Sequence, residues 1–211
     1  MNLKYIDFYF ITDSKLTKKS VFEDVKAAIK AGVKIVQYRE THASTKDMVK
    51  EASKLKELCK DKAILLINNR IDIALAINAN GVHLGQDDMP YGTARLLLGY
   101  DKIIGITAHN VEEAIEAENL GADYVGASPI FETKTKLDAG KAAGLQLLKD
   151  IKENIKIPIV AIGGIDLDNL QSVIESGADS AVAMSAVIPK DNVEEECRKF
   201  INVIKSTKSK N

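Results

Sequence analysis

Residues 20–39 read SVFEDVKAAIKAGVKIVQYR, and this stretch contains one complete unit of the architecture. Ser20-Val21-Phe22-Glu23 is a capping box, in which a serine and a glutamate three residues on satisfy the free N–H groups at a helix start. Ala31-Gly32-Val33 is a stop signal, because glycine suits the left-handed position just past a helix. Val33–Arg39 then runs apolar and ends in polar residues. The theme returns at Gly121-Ala122-Asp123 and Gly177-Ala178-Asp179, and Asn110 followed by Glu113 is a looser capping box.

Working outward, the apolar runs are Ile6–Thr12, Val33–Arg39, Ala63–Asn68, Gly81–Leu84, Ile103–Thr107, Tyr124–Ser128, Ile157–Ile162 and Ser180–Met184. Most are continuously hydrophobic rather than alternating, the pattern of parallel strands covered on both faces. Segments of helical spacing separate them, giving eight strand–helix units with no linker or shift of composition between them. This predicts an α/β protein, a single-domain (β/α)8 TIM barrel over residues 1–211. A doubly wound open sheet is the alternative; polar residues after nearly every strand, rather than at one switch point, favour the barrel. The one long connection, from Pro129 to about Gly144, lacks periodicity and is expected to be a mobile lid. The terminal STKSKN is expected to fray.

Composition narrows the function classes. Lys and Arg number 29 against 30 Asp and Glu, a formal net charge of -1, so there is no basic footprint for nucleic acid. Aromatics are 5% and Trp is absent, which argues against a stacking platform for single strands or a membrane-interface belt. Cys59 and Cys197 are too few and too scattered for a disulfide framework or a zinc site, and fit a reducing cytosol. The stretch MNLKYIDFYFITD carries acids among its apolar residues and fits neither a signal peptide nor a membrane span. A cytoplasmic protein without nucleic-acid or membrane partners is expected.

In such barrels chemistry sits on the loops at the carboxyl ends of the strands. Of only four arginines, Arg39 and Arg70 fall there, and the planar guanidinium suits phosphate or carboxylate. For Arg70 a structural pairing with Asp72 is the competing reading. His42, His83 and His109 also lie near strand ends, but no His-x-His pair appears, so structural hydrogen bonding is favoured over a metal site. Asn68-Asn69 and Gly85-Gln86-Asp87-Asp88 put hard oxygen ligands on adjacent loops, as magnesium beside a polyphosphate requires. Gly163-Gly164, with Asp166 as a cap, and Met184-Ser185-Ala186 read as anion cradles after strands 7 and 8, the recurrent phosphate site of this architecture. Thr133-Lys134-Thr135-Lys136 places two hydroxyls and two cations on the long loop. The residues thus point to a barrel enzyme for phosphorylated small molecules that uses a divalent cation.

The motifs Val36-Gln37-Tyr38-Arg39-Glu40, Asn68 to Leu75, Gly81 to Asp88, Ala108-His109, Gly121 to Gly126, Pro129-Ile130-Phe131 with Thr133 to Lys136, and Ala161 to Ile165 resemble the thiamine phosphate synthase family in order and spacing. The resemblance spans about residues 5 to 190. It implies condensation of a pyrimidine methylene diphosphate with a thiazole phosphate through a pyrimidine carbocation. It further implies that Gln37 holds the pyrimidine within a pyrimidine-diphosphate segment that includes Tyr38, Glu40 and Thr41. Arg39, Asn68, Thr107 and Lys136 would bind the diphosphate, with Arg39 and Lys136 catalytic. Asp88 and Asn69 would hold Mg²⁺, and Thr133, Lys134, Thr135, Gly164, Met184 and Ser185 would line the thiazole phosphate site.

The chain departs from the family pattern at four places. Asn69 stands where aspartate is usual, Thr41 where lysine is usual, Thr107 where serine is usual and Glu132 where proline is usual. A sister activity in the family, a thiazole tautomerase, carries a catalytic histidine at the position of Pro129, and the Gly-Gln-Asp-Asp motif kept here favours the synthase. A non-catalytic barrel that keeps the thiazole phosphate site is the other alternative.

Overall fold

A computed structural model describes residues 3, 6–133 and 140–210. Eight strands run in chain order around one sheet, and every neighbouring pair is parallel. They are β1 (Tyr9–Ile11), β2 (Ile35–Tyr38), β3 (Ile64–Asn68), β4 (Gly81–Leu84), β5 (Ile103–Ala108), β6 (Tyr124–Ala127), β7 (Ile159–Ala161) and β8 (Ser180–Ala181). A parallel bridge from Phe8 to Ala181 joins the first strand to the last, so the sheet closes into the expected (β/α)8 barrel. Between the strands lie α1 (Val21–Ala31), α2 (Thr45–Cys59), α3 (Ile71–Ala76), α4 (Tyr91–Leu98), α5 (Val111–Leu120), α6 (Gly144–Asn154) and α7 (Leu170–Glu175), followed by α8 (Met184–Val187) and α9 (Val193–Lys208).

The helix signals act as read. The Ser20 hydroxyl accepts the Glu23 N–H at the start of α1, and Gly32 ends that helix at φ 108°. Asn110 caps α5 through the Glu113 N–H. Alternation along each strand sorts two cores. Tyr9, Ile11, Ile35, Ile64, Leu66, Tyr124, Val160 and Val182 fill the barrel interior. Their strand neighbours, such as Phe10, Val36, Leu65, Ile67 and Val125, pack outward under the helices. Both faces are therefore apolar, which is why the strands read as continuous runs.

Two boundaries differ from expectation. Several apolar runs outlast their strands: Val182, still bonded through its N–H to the Ala161 carbonyl, and Ala183 continue past β8 to wall the cavity described below. The tail expected to fray from Ser206 is helical through Lys208. Thr207 is buried with Cys197, Phe200, Ile201 and Ile204 on the inner face of α9, and Lys208 reaches Asp7 at 3.3 Å. The long connection is also tied down at its ends. Ile130 N–H and Phe131 N–H donate to the Ile162 and Gly163 carbonyls, while Ala143 and Gly144 N–H donate to Pro129 and Ile130. Residues 134–139, on which the expectation of a lid rests, lie outside the described residues.

Candidate active site

At the carboxyl ends of the strands a cavity of about 290 Å³ opens. Gln37, Arg39 and Thr41 line it from β2 and its loop, Asn68 and Asn69 from β3, His83, Gly85 and Asp88 from β4, and Thr107 from β5. The opposite wall is Ser128, Thr133, Ile162 to Ile165, and Val182 to Ser185. Eleven of the residues singled out from sequence therefore share one hollow: Gln37, Arg39, Thr41, Asn68, Asn69, Asp88, Thr107, Thr133, Gly164, Met184 and Ser185.

The guanidinium of Arg39 is held from β1. Its Nη1 donates to Asp13 Oδ2 at 2.9 Å, and its backbone N–H donates to Thr12 Oγ1 at 2.9 Å. Asp13 in turn accepts the N–H groups of Lys15 and Leu16, so the carboxylate is itself fixed. The Arg39 side chain remains 20% exposed, with donors left for an anion in the hollow. Thr12 and Asp13 were not legible as site residues, because an acid after a strand reads equally well as a cap.

On the next loops, Asn69 sits at φ 61°, a left-handed conformation that asparagine and aspartate tolerate. Asp88 accepts the Gly85 N–H through Oδ2 at 2.6 Å, which closes the β4 loop and presents the carboxylate at the cavity wall. Among the described residues no group of three or more His, Cys, Asp or Glu is placed to hold a metal. A cation there would meet one carboxylate and the Asn69 amide oxygen, and would need further oxygens from its substrate. Magnesium accepts that arrangement, since it binds through one or two carboxylates with phosphate oxygens and water.

The opposite wall has bare backbone at Gly163 and Gly164, between flanking side chains. Gly163 and Gly164 have φ 106° and 61°, and a Cβ at Gly164 would stand 2.5 Å from the Glu132 carbonyl oxygen and 2.7 Å from Phe131 Cβ. Side chains are thereby excluded, leaving bare peptide groups facing the hollow beside Ser185.

Beneath the hollow a hydrogen-bonded file crosses the barrel. Gln37 Nε2 donates to Tyr9 Oη at 2.8 Å, Tyr9 Oη meets Tyr124 Oη at 2.8 Å, Tyr124 Oη meets His83 Nδ1 at 2.8 Å, and His83 Nε2 meets Thr107 Oγ1 at 2.9 Å. Burial pushes both phenols above the usual tyrosine range, so each remains a neutral hydroxyl. His83 was read as structural; the structure makes it both a hydrogen-bonded barrel residue and a cavity wall. Its inward position follows from alternation along Gly81-Val82-His83-Leu84.

Two expectations are corrected, the Arg70 alternatives are decided, and three residues fall outside the described ones. Tyr38 is not a ligand of the hollow: it points outward, beneath α2, and its hydroxyl donates to Glu51 at 2.8 Å, because it is one residue out of phase with Gln37. Glu40 also misses the hollow. One of its carboxylate oxygens accepts the N–H groups of Thr41, His42 and Ala43. Burial raises its pKa, but these bonds and one from Ser14 outweigh it and hold the carboxyl below its usual range. Arg70 faces away and pairs with Asp72 and Thr45, the structural reading. Lys134, Thr135 and Lys136 lie outside the described residues. Of the other histidines, His109 pairs with Glu113, and His42 is exposed, away from the main hollow. Among the described residues no helix is long and apolar enough to cross a membrane.

Comparison with known proteins agrees with this geometry. The profile of the family described as thiamine monophosphate synthase matches residues 8–187. A thiamine-phosphate synthase of Methanosarcina mazei is 56% identical over 206 residues, covering 98% of this chain and 86% of that protein. One from Clostridium acetobutylicum is 46% identical over 212 residues, covering 99% of this chain and all of the other. The solved structure of a thiamine phosphate pyrophosphorylase from Pyrococcus furiosus superposes with a TM-score of 0.89 at 35% identity, over 97% of this chain and 98% of that one. A profile match across most of the chain, relatives of this identity and a shared barrel place the chain in the thiamine monophosphate synthase family.

Proposed function

We propose that this chain condenses 4-amino-2-methyl-5-(diphosphooxymethyl)pyrimidine with thiazole phosphate, releasing thiamine phosphate and pyrophosphate. The observation that carries the reading is that Arg39, Asp88 and Gly164, drawn from three distant parts of the chain, line one hollow with Thr133 and Ser185. The bond between the pyrimidine methylene carbon and the diphosphate oxygen breaks, and its electron pair leaves with the diphosphate. The thiazole nitrogen then donates its lone pair to the methylene carbon. Such chemistry asks the protein for positioning, stabilisation of the departing anion and exclusion of water.

Each demand has residues to meet it. Gln37 holds the pyrimidine by the half of its amide that Tyr9 does not occupy. Arg39, Asn68 and Thr107 donate to the diphosphate, and by family resemblance Lys136 joins them. Gly164, Thr133 and Ser185 take the thiazole phosphate, with Met184 against the ring and Lys134 and Thr135 assigned there by resemblance. Ile162 and Val182 keep the space between the two substrates apolar. Asp88 and Asn69 would hold Mg²⁺, and the cation, when bound, would supply neutralisation of charge on the diphosphate. Two free, buried cysteines fit the cytoplasmic setting such an enzyme implies.

The test is to supply both precursors with Mg²⁺ and follow thiamine phosphate, omitting each precursor in turn. Product that depends on both is expected. A second reading, a barrel that binds thiazole phosphate without turnover, is favoured by one observation: Thr41 and Asn69 both line the hollow where the family pattern has lysine and aspartate. Thiazole phosphate binding without product at any magnesium concentration would establish that reading instead.

A further inference from the structure

The file of hydrogen bonds beneath the hollow joins two residues that the proposed function gives to different parts of the same substrate. Gln37 is assigned to the pyrimidine ring and Thr107 to the diphosphate, and three side chains link them: Tyr9, Tyr124 and His83. They come from β1, β6 and β4, so no local sequence feature connects them. Two glycines make room for the file. A Cβ at Gly105 would stand 2.0 Å from Tyr124 Cζ, and one at Gly126 would stand 2.9 Å from His83 Cε1. Neither position requires a positive φ, so what each glycine provides is space for the ring beside it. The His83 and Tyr124 rings also stack, with centroids 5.5 Å apart.

Donor and acceptor counting gives the file a direction. Gln37 Nε2 can only donate, so Tyr9 accepts there and passes its own hydroxyl hydrogen to Tyr124. Tyr124 then passes its hydrogen to His83 Nδ1, which must be bare. The single hydrogen of the neutral imidazole therefore sits on Nε2 and is donated to Thr107 Oγ1. Thr107 accepts, and its own hydroxyl hydrogen is released from the file at the cavity wall. Reversing the Tyr9–Tyr124 link alone would leave the buried Tyr9 hydrogen without an acceptor, and reversing the Tyr124–His83 link alone would leave the Tyr124 hydrogen without one, each a costly arrangement. Reversing all of them requires the Gln37 amide to be turned over and places the imidazole hydrogen on Nδ1.

We infer that Tyr9, Tyr124 and His83 are positioning residues: one directional hydrogen-bond file sets the Gln37 amide, holds His83 as its Nε2–H tautomer and aims the Thr107 hydroxyl hydrogen into the hollow as a donor to the departing diphosphate. This rests on the functional reading above, and deepens it by making pyrimidine seating and leaving-group stabilisation parts of one device. The phenols touch no reacting atom and act through the residues at either end.

The first experiment needs no turnover. Replacing the two exposed histidines, as His42→Gln and His109→Gln, leaves His83 as the sole imidazole, and ¹⁵N-histidine NMR reports its tautomer. Hydrogen on Nε2 with Nδ1 bare is expected; hydrogen on Nδ1 overturns the inference. The second experiment is Tyr124→Phe, which keeps the ring and removes the central link. It is expected to populate both His83 tautomers and to lower kcat for pyrophosphate release about tenfold, with a much smaller change in KM for thiazole phosphate. An unchanged tautomer together with unchanged kcat overturns the inference and leaves the functional reading intact. Should the unaltered protein form no thiamine phosphate, the functional reading fails, and with it the assignment to the leaving diphosphate, while the tautomer measurement still decides whether the file runs in this direction.

Discussion

The two halves of the hollow are built from different material. From β2 to β5 the wall is made of side chains: a guanidinium, a carboxylate, amides and a hydroxyl, several held by a second group, as Asp13 holds Arg39 and the Gly85 N–H holds Asp88. From β6 to β8 the wall carries no charged side chain among its described lining residues and turns on bare backbone, with Gly163 and Gly164 pressed against residues 129–132 so closely that a methyl group has no place. A side-chain site can exchange one residue for another and adjust its charge, as Asn69 and Thr41 show. A backbone site cannot change without moving a loop. Three of the four departures from the family pattern, at positions 41, 69 and 107, fall in the half that can absorb them; the fourth, Glu132, meets Gly164 through its backbone carbonyl.

This contrast can be broken or sharpened by substitution. The largest effect is expected from Arg39→Ala, which removes a held cation from the leaving group. Pyrophosphate release in single-turnover measurements should slow by about 10³-fold, with thiazole phosphate affinity nearly unchanged. Equal losses in both would mean that the halves are not separable. Gly164→Ala should do the converse, weakening thiazole phosphate binding about 100-fold by calorimetry, since the added carbon meets the Glu132 carbonyl at 2.5 Å. A wild-type affinity would show that the 129–132 segment yields, and that the backbone half is less rigid than its contacts imply.

Smaller effects test how the side-chain half is supported. Asp13→Asn keeps the hydrogen bond to Arg39 but removes the charge, and should lower kcat by about tenfold while the circular dichroism spectrum is unchanged. Wild-type kcat would make the ion pair a matter of folding alone. Asn69→Asp, tolerated at φ 61°, should lower the Mg²⁺ concentration for half-maximal rate by about threefold to tenfold, because a carboxylate binds magnesium better than an amide oxygen. A raised or unchanged requirement would remove position 69 from the metal site.

Much of this was visible before any coordinates. The helix starts at Ser20 and Asn110 and the stop at Gly32 are local events, decided by side chains that reach only a few residues, and they lie where the sequence puts them. Arg39, Asp88 and Gly164 could be singled out because the architecture assigns chemistry to strand ends. Tyr38 and Glu40 could not be excluded in the same way. With both faces of a strand apolar, the run has no polar alternation to reveal which residues point inward, so the motif containing Gln37 offered its neighbours as well. The tail was misread for a related reason: Ser206 and Lys208 look solvated, but Thr207 between them lies on the buried face of α9.

The amino-acid order alone determined the number of units, the parallel sheet, the helix ends at Ser20, Gly32 and Asn110, and the family, because each rests on short-range chemistry or on motifs held in register. Only the closed barrel decided which members of each strand meet at its axis. The link from Asp13 to Arg39 and the file from Gln37 to Thr107 join residues from different strands, with Tyr9 and Tyr124 115 positions apart. Such contacts exist because closing the sheet brings inward side chains together, and no separation along the chain encodes which of them will touch.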